Sequence, residues 1–182
     1  MYSFTNKFFL ALVAFCYVTT TNAKNVCITQ PGSISCGSGT INKLNSQGIV
    51  SISGTTITGP TIINGLLSAE KARFSSLDVN GSAYLVKCTI TSSATIRGSL
   101  SATSTKFQDK VDVYSNSIRF TNSKISSDLH LYHSSSKQQT VTLDKASEIS
   151  GNIIFDDGNG NVVLQGNSKI GGKIIGGQVT VK

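Results

Sequence analysis

The segment of this chain that comes closest to a metal-binding sequence is FDDGNGN, residues 155–161. It holds four oxygen-bearing side chains, with glycines between them: Asp156, Asp157, Asn159 and Asn161. Such oxygens at such spacing are typical of calcium loops, although the distal glutamate of an EF-hand is missing. The alternative is a polar turn between the strand sequences IIF and VVL, because Asp, Asn and Gly favour turns by themselves. We expect the turn and keep the four residues as a calcium candidate.

The two histidines, His130 and His133, lie three positions apart in the sequence LHLYH. Residues three apart on a strand point to opposite faces, so we expect surface side chains rather than a joint metal site. The patterns H-E-x-x-H and G-x-S-x-G do not occur. GNSKIGGK, residues 166–173, resembles a phosphate-binding loop but has Gly172 where the lysine belongs. The sequence therefore predicts no catalytic residue, no cofactor and no enzymatic activity.

Acidic and aromatic residues are too dispersed for a sugar-cleaving or nucleic-acid-binding site. Of the 9 acidic residues, only Asp156 and Asp157 are adjacent. There is no tryptophan, and Tyr84, Tyr114 and Tyr132 are scattered, so we predict no platform on which a sugar could stack. No segment interleaves aromatic with basic residues, so specific nucleic acid is not an expected partner.

The segment from Met1 to Ala23 has the composition of a secretory signal peptide. Lys7 precedes an apolar run, residues 8–18, and small residues end the segment at Ala23. The run is about eleven residues long, whereas a membrane-spanning helix needs about twenty. We predict cleavage after Ala23, no transmembrane segment in the mature chain, and export to the periplasm, the outer surface or the extracellular medium.

Cleavage would leave Cys27, Cys36 and Cys88 in the mature chain. Exported proteins retain disulfides, and the turn dipeptide Pro31-Gly32 lies between the first two cysteines. We predict a disulfide between Cys27 and Cys36 within an N-terminal cap at residues 24–40. Cys88 is then either a small buried side chain or an exposed thiol that bonds a second chain, and its apolar neighbours favour burial.

The chain is basic, with 16 Lys and Arg against 9 Asp and Glu and a formal net charge of +7 at pH 7. A basic surface permits contact with anionic glycans, lipopolysaccharide or nucleic acid. The lysines stand singly along the sequence and form no run. We therefore expect an ordinary solvated surface rather than a basic patch.

An internal repeat carries most of the structural information. The segment INGLLSAEKARF, residues 63–74, matches IRGSLSATSTKF, residues 96–107, at its apolar residues and glycine. The shorter pattern Ile-x-Gly-x-apolar, with Val replacing Ile once, begins at Ile63, Val79, Ile96, Ile149 and Ile170. Weaker copies near Val113 and Leu131 indicate a unit of about 17 to 18 residues throughout.

Apolar and polar residues alternate within each unit, which is the period of a strand with one buried face. A unit of this length holds two or three short strands, too few to bury a face alone, so the units must stack. We predict an all-β fold: a single-domain parallel β-helix, or β-solenoid, at residues 41–182, with about nine coils. The recurrent glycines are expected at corners with positive φ or where the next backbone comes close.

The stretch from Ile57 to Val181 resembles the β-helix of bactofilins, which are polymer-forming cytoskeletal proteins. The resemblance rests on the Ile-x-Gly-x-Leu-x-Ala steps, the coil length and the glycine-rich tail KIGGKIIGGQVTVK. It implies a right-handed solenoid that assembles end to end. This chain differs from that family in its signal peptide and disulfide, so the implied assembly would take place outside the cytoplasm.

Both ends of a parallel solenoid carry unpaired strand edges, which recruit further chains unless they are covered. The tail GGQVTVK alternates like a strand, so we predict self-association through Val179 and Val181 and a structural or surface-interaction role. The alternative is an adhesin or a module that binds glycans or lipopolysaccharide through a Ser/Thr-rich outer face and positive charge. The two interpretations remain open at the level of sequence.

Overall fold

The structure, a computed structural model, describes residues 17–19 as backbone, and residues 26–132 and 137–182 with their side chains. Strands account for 67 % of it, and the described residues contain no helix. The predicted all-β class is confirmed. It follows that none of the described residues belongs to a helix that could cross a membrane.

The described residues form 22 strands. Their bounds are β1 Tyr17–Thr19, β2 Cys27–Gln30, β3 Ser33–Cys36, β4 Gly39–Ile41, β5 Lys43–Ser53, β6 Thr55–Glu70, β7 Arg73–Val86, β8 Thr89–Ile90, β9 Ala94–Arg97, β10 Leu100–Thr103, β11 Lys106–Phe107, β12 Val111–Tyr114, β13 Ser117–Thr121, β14 Lys124–Ile125, β15 Leu129–Leu131, β16 Gln139–Asp144, β17 Glu148–Ile149, β18 Ile153–Phe155, β19 Gly160–Leu164, β20 Lys169–Ile170, β21 Ile174–Ile175 and β22 Gly177–Val181.

The strands form a parallel β-solenoid of about 9 turns, as predicted. Each complete coil adds one strand segment to each of three sheets, and the long strands β5 to β7 bend from one sheet into the next. Sheet A contains β3, β10, β13, β16, β19, β22 and the C-terminal parts of β5 to β7. Sheet B contains β4, β8, β11, β14, β17, β20 and the N-terminal parts of β6 and β7. Sheet C contains β9, β12, β15, β18, β21 and the remaining parts of β5 to β7.

The strand register shows that the sequence repeat is a stack of coils. Val79 pairs with Ile63 in the preceding coil and with Ile96 in the following one, and all three side chains are buried. As far as Leu129 the coils are nearly constant in length and close to the predicted repeat. The coil from Leu129 to Ile153 is longer, and so is the next one, because extra residues lie at corners between the strands.

The Ile-x-Gly-x-apolar motifs do not all occupy the same place in a coil. The motifs at Ile63, Val79 and Ile96 run along sheet C, whereas Ile149 and Ile170 pair with each other in sheet B. The interpretation of all five motifs as copies of one position in the repeat is therefore wrong. Two different corners leave no room for a side chain, so the same short pattern arises at both of them.

Glycine at the corner between sheets C and A has the two properties predicted from the repeat. Gly65, Gly81 and Gly98 have φ angles of +146°, +143° and +138°. A Cβ atom on any of them would collide with the carbonyl oxygen of the glycine one coil before it. Glycine is required here both by the backbone conformation and by the close approach of the neighbouring coil.

The corner between sheets A and B begins with a residue in the left-handed conformation and ends with a small residue that faces the interior. The first left-handed residue of each corner, with φ between +49° and +72°, is Gly54, Lys71, Lys87, Ser104, Asn122, Lys145 or Gly166. The interior residues are Thr55, Ala72, Cys88, Thr105, Ser123, Ser147 and Ser168. The first five directly follow the left-handed residue of their own corner, whereas Ser147 and Ser168 come two positions after it.

From Cys88 to Ser168 these interior residues form a hydrogen-bonded column, which we call the hydroxyl ladder. The Ser123 Oγ accepts the N–H of Thr105 at 3.1 Å, and the Ser147 Oγ accepts the N–H of Ser123 at 3.2 Å. The same hydroxyls donate to carbonyl oxygens of neighbouring strands; Ser123, for example, donates to Ala102. The ladder therefore satisfies polar backbone groups that lie inside the core.

Cys88 occupies one rung of the hydroxyl ladder. Its side chain is buried, carries no disulfide and places its thiol 3.3 Å from the carbonyl oxygen of Val86. Burial, the largest influence, raises the pKa of this thiol, and the nearby Glu70 carboxylate raises it further. The predicted burial of Cys88 is confirmed, and a bond from this thiol to a second chain would require the coil to open.

At the N-terminal end, an antiparallel hairpin covers the edge of sheet A. Strands β2 and β3 pair around the turn at Pro31-Gly32, and the predicted disulfide joins Cys27 to Cys36. Ile34 on β3 already lies in register with Val50, so the parallel ladder begins within the segment predicted as a cap. Strand β1 pairs antiparallel with β5, and cleavage after Ala23 would remove it.

Candidate functional site

The candidate calcium residues lie around the turn between β18 and β19, but their side chains have different neighbours. The Asp156 carboxylate lies 2.6 Å from the imidazole Nε2 of His130 on sheet C. The Asn161 amide oxygen accepts a hydrogen bond from the Thr180 hydroxyl on sheet A. Within the described residues, no three His, Cys, Asp or Glu side chains are grouped so that they could hold a metal ion. The calcium hypothesis stays a prediction, and the predicted turn is present.

The outer face of sheet C carries a row of charged and aromatic side chains in contact with one another, which the sequence did not suggest. The Arg97 guanidinium bonds the Asp78 carboxylate at 2.6 Å and lies 5.5 Å from the centre of the Tyr114 ring. The Tyr114 ring stacks on the Tyr132 ring with centroids 4.6 Å apart, and Tyr132 in turn contacts His130. We call these residues the sheet C ladder; His133 lies outside the described residues.

The sheet C ladder is built like a structural element rather than a binding site. Each of the two stacked tyrosine rings lies against the other, and Arg97 and His130 contact them as well, so the ring faces are not free for a sugar. Partial burial, followed by the charge of Asp112, raises the pKa of the Tyr132 hydroxyl. The prediction of scattered tyrosines is wrong for Tyr114 and Tyr132, since the register of β12 with β15 places them side by side one coil apart.

The C-terminal coil exposes side chains that would be core residues in any earlier coil. Val179 and Val181 continue the columns of Val162 and Leu164 in sheet A. Val162 is fully buried, whereas Val179 is 45 % and Val181 is 76 % exposed. The described chain places no further coil on this surface, which also includes the partly exposed Ile170 and Ile174.

The outer face of sheet B and its corner with sheet A collect basic residues from distant parts of the sequence. We call this surface the basic ridge; its members are Lys71, Arg73, Lys87, Lys106, Lys124, Lys145 and Lys169. Lys71 lies 3.4 Å from the Glu70 carboxylate beside it. One acidic residue, Glu148, lies in the column of Lys124 and bonds it at 2.9 Å, which lowers the pKa of the Glu148 carboxyl. The expectation that the lysines form no patch is wrong, because coils of unequal length align lysines that stand singly in the sequence.

Sheet C carries acidic and basic side chains together. Its outer face and strand ends carry Asp78, Asp112, Asp128 and Asp156. Among its basic residues, Arg97 bonds Asp78 and Lys110 bonds Asp112, whereas Lys43 and Lys173 make no ion pair with another described residue. The Asp112 carboxylate at 2.9 Å raises the pKa of the Lys110 ammonium, first through the hydrogen bond and then through its charge. The basic ridge lies on a different side of the coil, where Arg73, Lys106 and Lys169 make no ion pair with another described residue.

Comparison with known proteins adds no homologue to these observations. No protein-family description, curated protein or solved structure matches this chain. The resemblance to bactofilins and the right-handed sense of the solenoid stay predictions. The structure itself establishes the β-solenoid fold.

Proposed function

We propose that this protein is an exported, non-enzymatic structural protein that self-associates through its C-terminal coil. The observation that carries the proposal is the loss of burial in that coil. Val162 and Ile153 are fully buried, but their partners one coil later, Val179 and Ile174, are partly exposed. Covering such side chains stabilises an assembly by about 25 cal/mol for each Å² of apolar area buried.

A second copy of this chain is the occupant that fits this surface best. The outer edges of β20, β21 and β22 present backbone N–H and C=O groups without a strand partner among the described residues. Another strand edge satisfies both kinds of group at once. Because a hairpin and a disulfide cover sheet A at the N-terminal end, we propose that two C-terminal ends meet around a twofold axis. The product is a dimer rather than a filament.

The proposed export is supported by the predicted signal peptide and by the disulfide between Cys27 and Cys36. Exported proteins keep such bonds, whereas the cytosol reduces them. N-terminal sequencing of the protein recovered outside the cytoplasm tests the proposal. A chain that begins at Lys24 supports export, and a chain retained in the cytoplasm with the segment from Met1 to Ala23 still attached contradicts it.

Sedimentation equilibrium of residues 24–182 at tens of micromolar tests self-association. The variant Val181→Lys places a charge at the most exposed apolar position of the C-terminal coil, so it should convert the dimer into a monomer. Ile28→Lys is the matched control, since Ile28 is 62 % exposed at the opposite end. A monomeric parent protein, or equal dissociation by both variants, would contradict the proposal.

A second candidate function is that of an adhesin or a module that binds glycans or lipopolysaccharide. The basic ridge favours it, because seven cationic side chains lie along one side of the solenoid. This function does not exclude self-association, since the ridge runs along the side of the solenoid and the apolar surface lies at its end.

A further inference from the structure

We propose that the basic ridge is a binding surface for a linear acidic polysaccharide. The inference rests on the second candidate function and names its surface and its partner. Binding is electrostatic: the ammonium and guanidinium groups of the ridge pair with sulfate or carboxylate groups along the sugar chain. No bond is made or broken in this interaction.

The ridge is continuous over six successive coils. Arg73, Thr89, Lys106, Lys124, Glu148 and Lys169 form one outward column of sheet B, in this order. The coils that carry Thr89 and Glu148 also present Lys87 and Lys145 at the adjacent corner. Every coil from Arg73 to Lys169 therefore contributes at least one positive charge, and with about 4.8 Å between coils the ridge is about 24 Å long.

Most of these charges are available to a ligand. Arg73, Lys106 and Lys169 are exposed, and their side chains make no ion pair with another described residue. On sheet C, by contrast, Arg97 and Lys110 are held by carboxylates. A polyanion that binds the ridge gains contacts without first breaking such pairs and releases the counterions that the row of charges holds.

The remaining outward residues on this face favour a polysaccharide over other polyanions. Several of them are small and hydroxylated, including Thr56, Thr89, Thr91 and Ser126, and can exchange hydrogen bonds with sugar hydroxyls. Nucleic-acid strands are bound on aromatic side chains that stack with bases, and Phe74 and Phe107 of this sheet point inward. Insertion into a membrane needs exposed apolar side chains, and the large ones lie outside sheet B in the described chain.

The experiment measures binding of residues 24–182 to heparin, used as a sulfated polysaccharide probe, from about 0.1 to about 1 M salt, over which the screening length falls from about 10 to about 3 Å. The ridge variant is Arg73→Gln/Lys106→Gln/Lys169→Gln. The control variant, Lys43→Gln/Arg119→Gln/Lys173→Gln, removes the same net charge from exposed positions outside the ridge. Single-stranded DNA and vesicles with anionic lipid are the competing probes, and neutral dextran is the blank.

The ridge variant should lose at least tenfold in heparin affinity and show a weaker salt dependence, while the control variant loses less than threefold. Equal losses of heparin affinity in both variants would overturn the assignment of binding to the basic ridge while leaving glycan binding intact. Absence of heparin binding would overturn the ridge and the second candidate function together. Equally tight binding of DNA or vesicles would overturn the assignment to polysaccharides. Val181→Lys, which should be monomeric, should bind heparin at least as well as the parent protein. Heparin binding and self-association are therefore tested independently.

Discussion

Removal of the Ser123 hydroxyl tests the hydroxyl ladder. In Ser123→Ala the N–H of Thr105 loses its acceptor, and Thr105 is fully buried. An unsatisfied buried N–H costs about 1 to 3 kcal/mol. The lost oxygen leaves a space smaller than one methyl group, so the unpaired N–H rather than the cavity should dominate the effect.

The assay is urea and thermal unfolding of residues 24–182 with the disulfide intact. For a chain of this size, a loss of about 1 to 3 kcal/mol lowers Tm by about 2 to 12 °C. Ser126→Ala is the matched control, because Ser126 is exposed and its backbone N–H bonds Phe107 whatever its side chain is. Its free energy of unfolding should change by less than about 0.5 kcal/mol. Equal effects of the two substitutions, or a neutral Ser123→Ala, would refute the reasoning.

Three further predictions concern single positions in the coil. Gly81→Ala should lower the free energy of unfolding by about 3 kcal/mol or more, because the φ of Gly81 is +143° and an added Cβ would meet the backbone of Gly65. Gly158→Ala should lower it less, because Gly158 has open space around it, and similar losses of Tm in the two variants would contradict this prediction. Thr61→Val should raise the free energy of unfolding by about 1 kcal/mol, since the buried Thr61 hydroxyl has no hydrogen-bond partner among the described residues; a destabilised variant in urea unfolding would argue against it. The free energy of unfolding of the parent protein should fall relative to that of Cys88→Ser as pH rises above the thiol's ordinary pKa of 9.0. Burial raises the pKa of this thiol in the folded state, so the unfolded chain ionises first. A difference between the two proteins that stays constant from pH 8 to about pH 10.5 would exclude this linkage.

The core and the disulfide were predictable because they depend on local pattern. Alternation of apolar residues identifies strands with one buried face, and Val79 between Ile63 and Ile96 shows that the repeat aligns these strands. The pairing of Cys27 with Cys36 follows from a short loop that contains a turn. These features involve residues close in sequence or one constant repeat apart.

The surfaces were not predictable, because they depend on the register of each coil. Lys106 pairs with Lys124, but Lys124 pairs with Glu148 after a distinctly longer step along the chain, so no constant period would have aligned them. Tyr114 and Tyr132 meet because the register of their own two coils brings them together. The corners were also concealed, since a lysine such as Lys71 takes a left-handed conformation that sequence patterns assign to glycine or asparagine.

The most direct test of the account is a set of distances between coils, measured by pulsed electron paramagnetic resonance. Spin labels would be attached to cysteines introduced at outward positions of sheet B in a Cys88→Ser background. From Thr56 the solenoid places Lys124 four coils away and Lys169 six coils away. At about 4.8 Å per coil, the backbone separations are about 19 Å and about 29 Å. A distance that increases in this order supports in-register parallel stacking, and a Thr56–Lys169 distance equal to or shorter than the Thr56–Lys124 distance would contradict it.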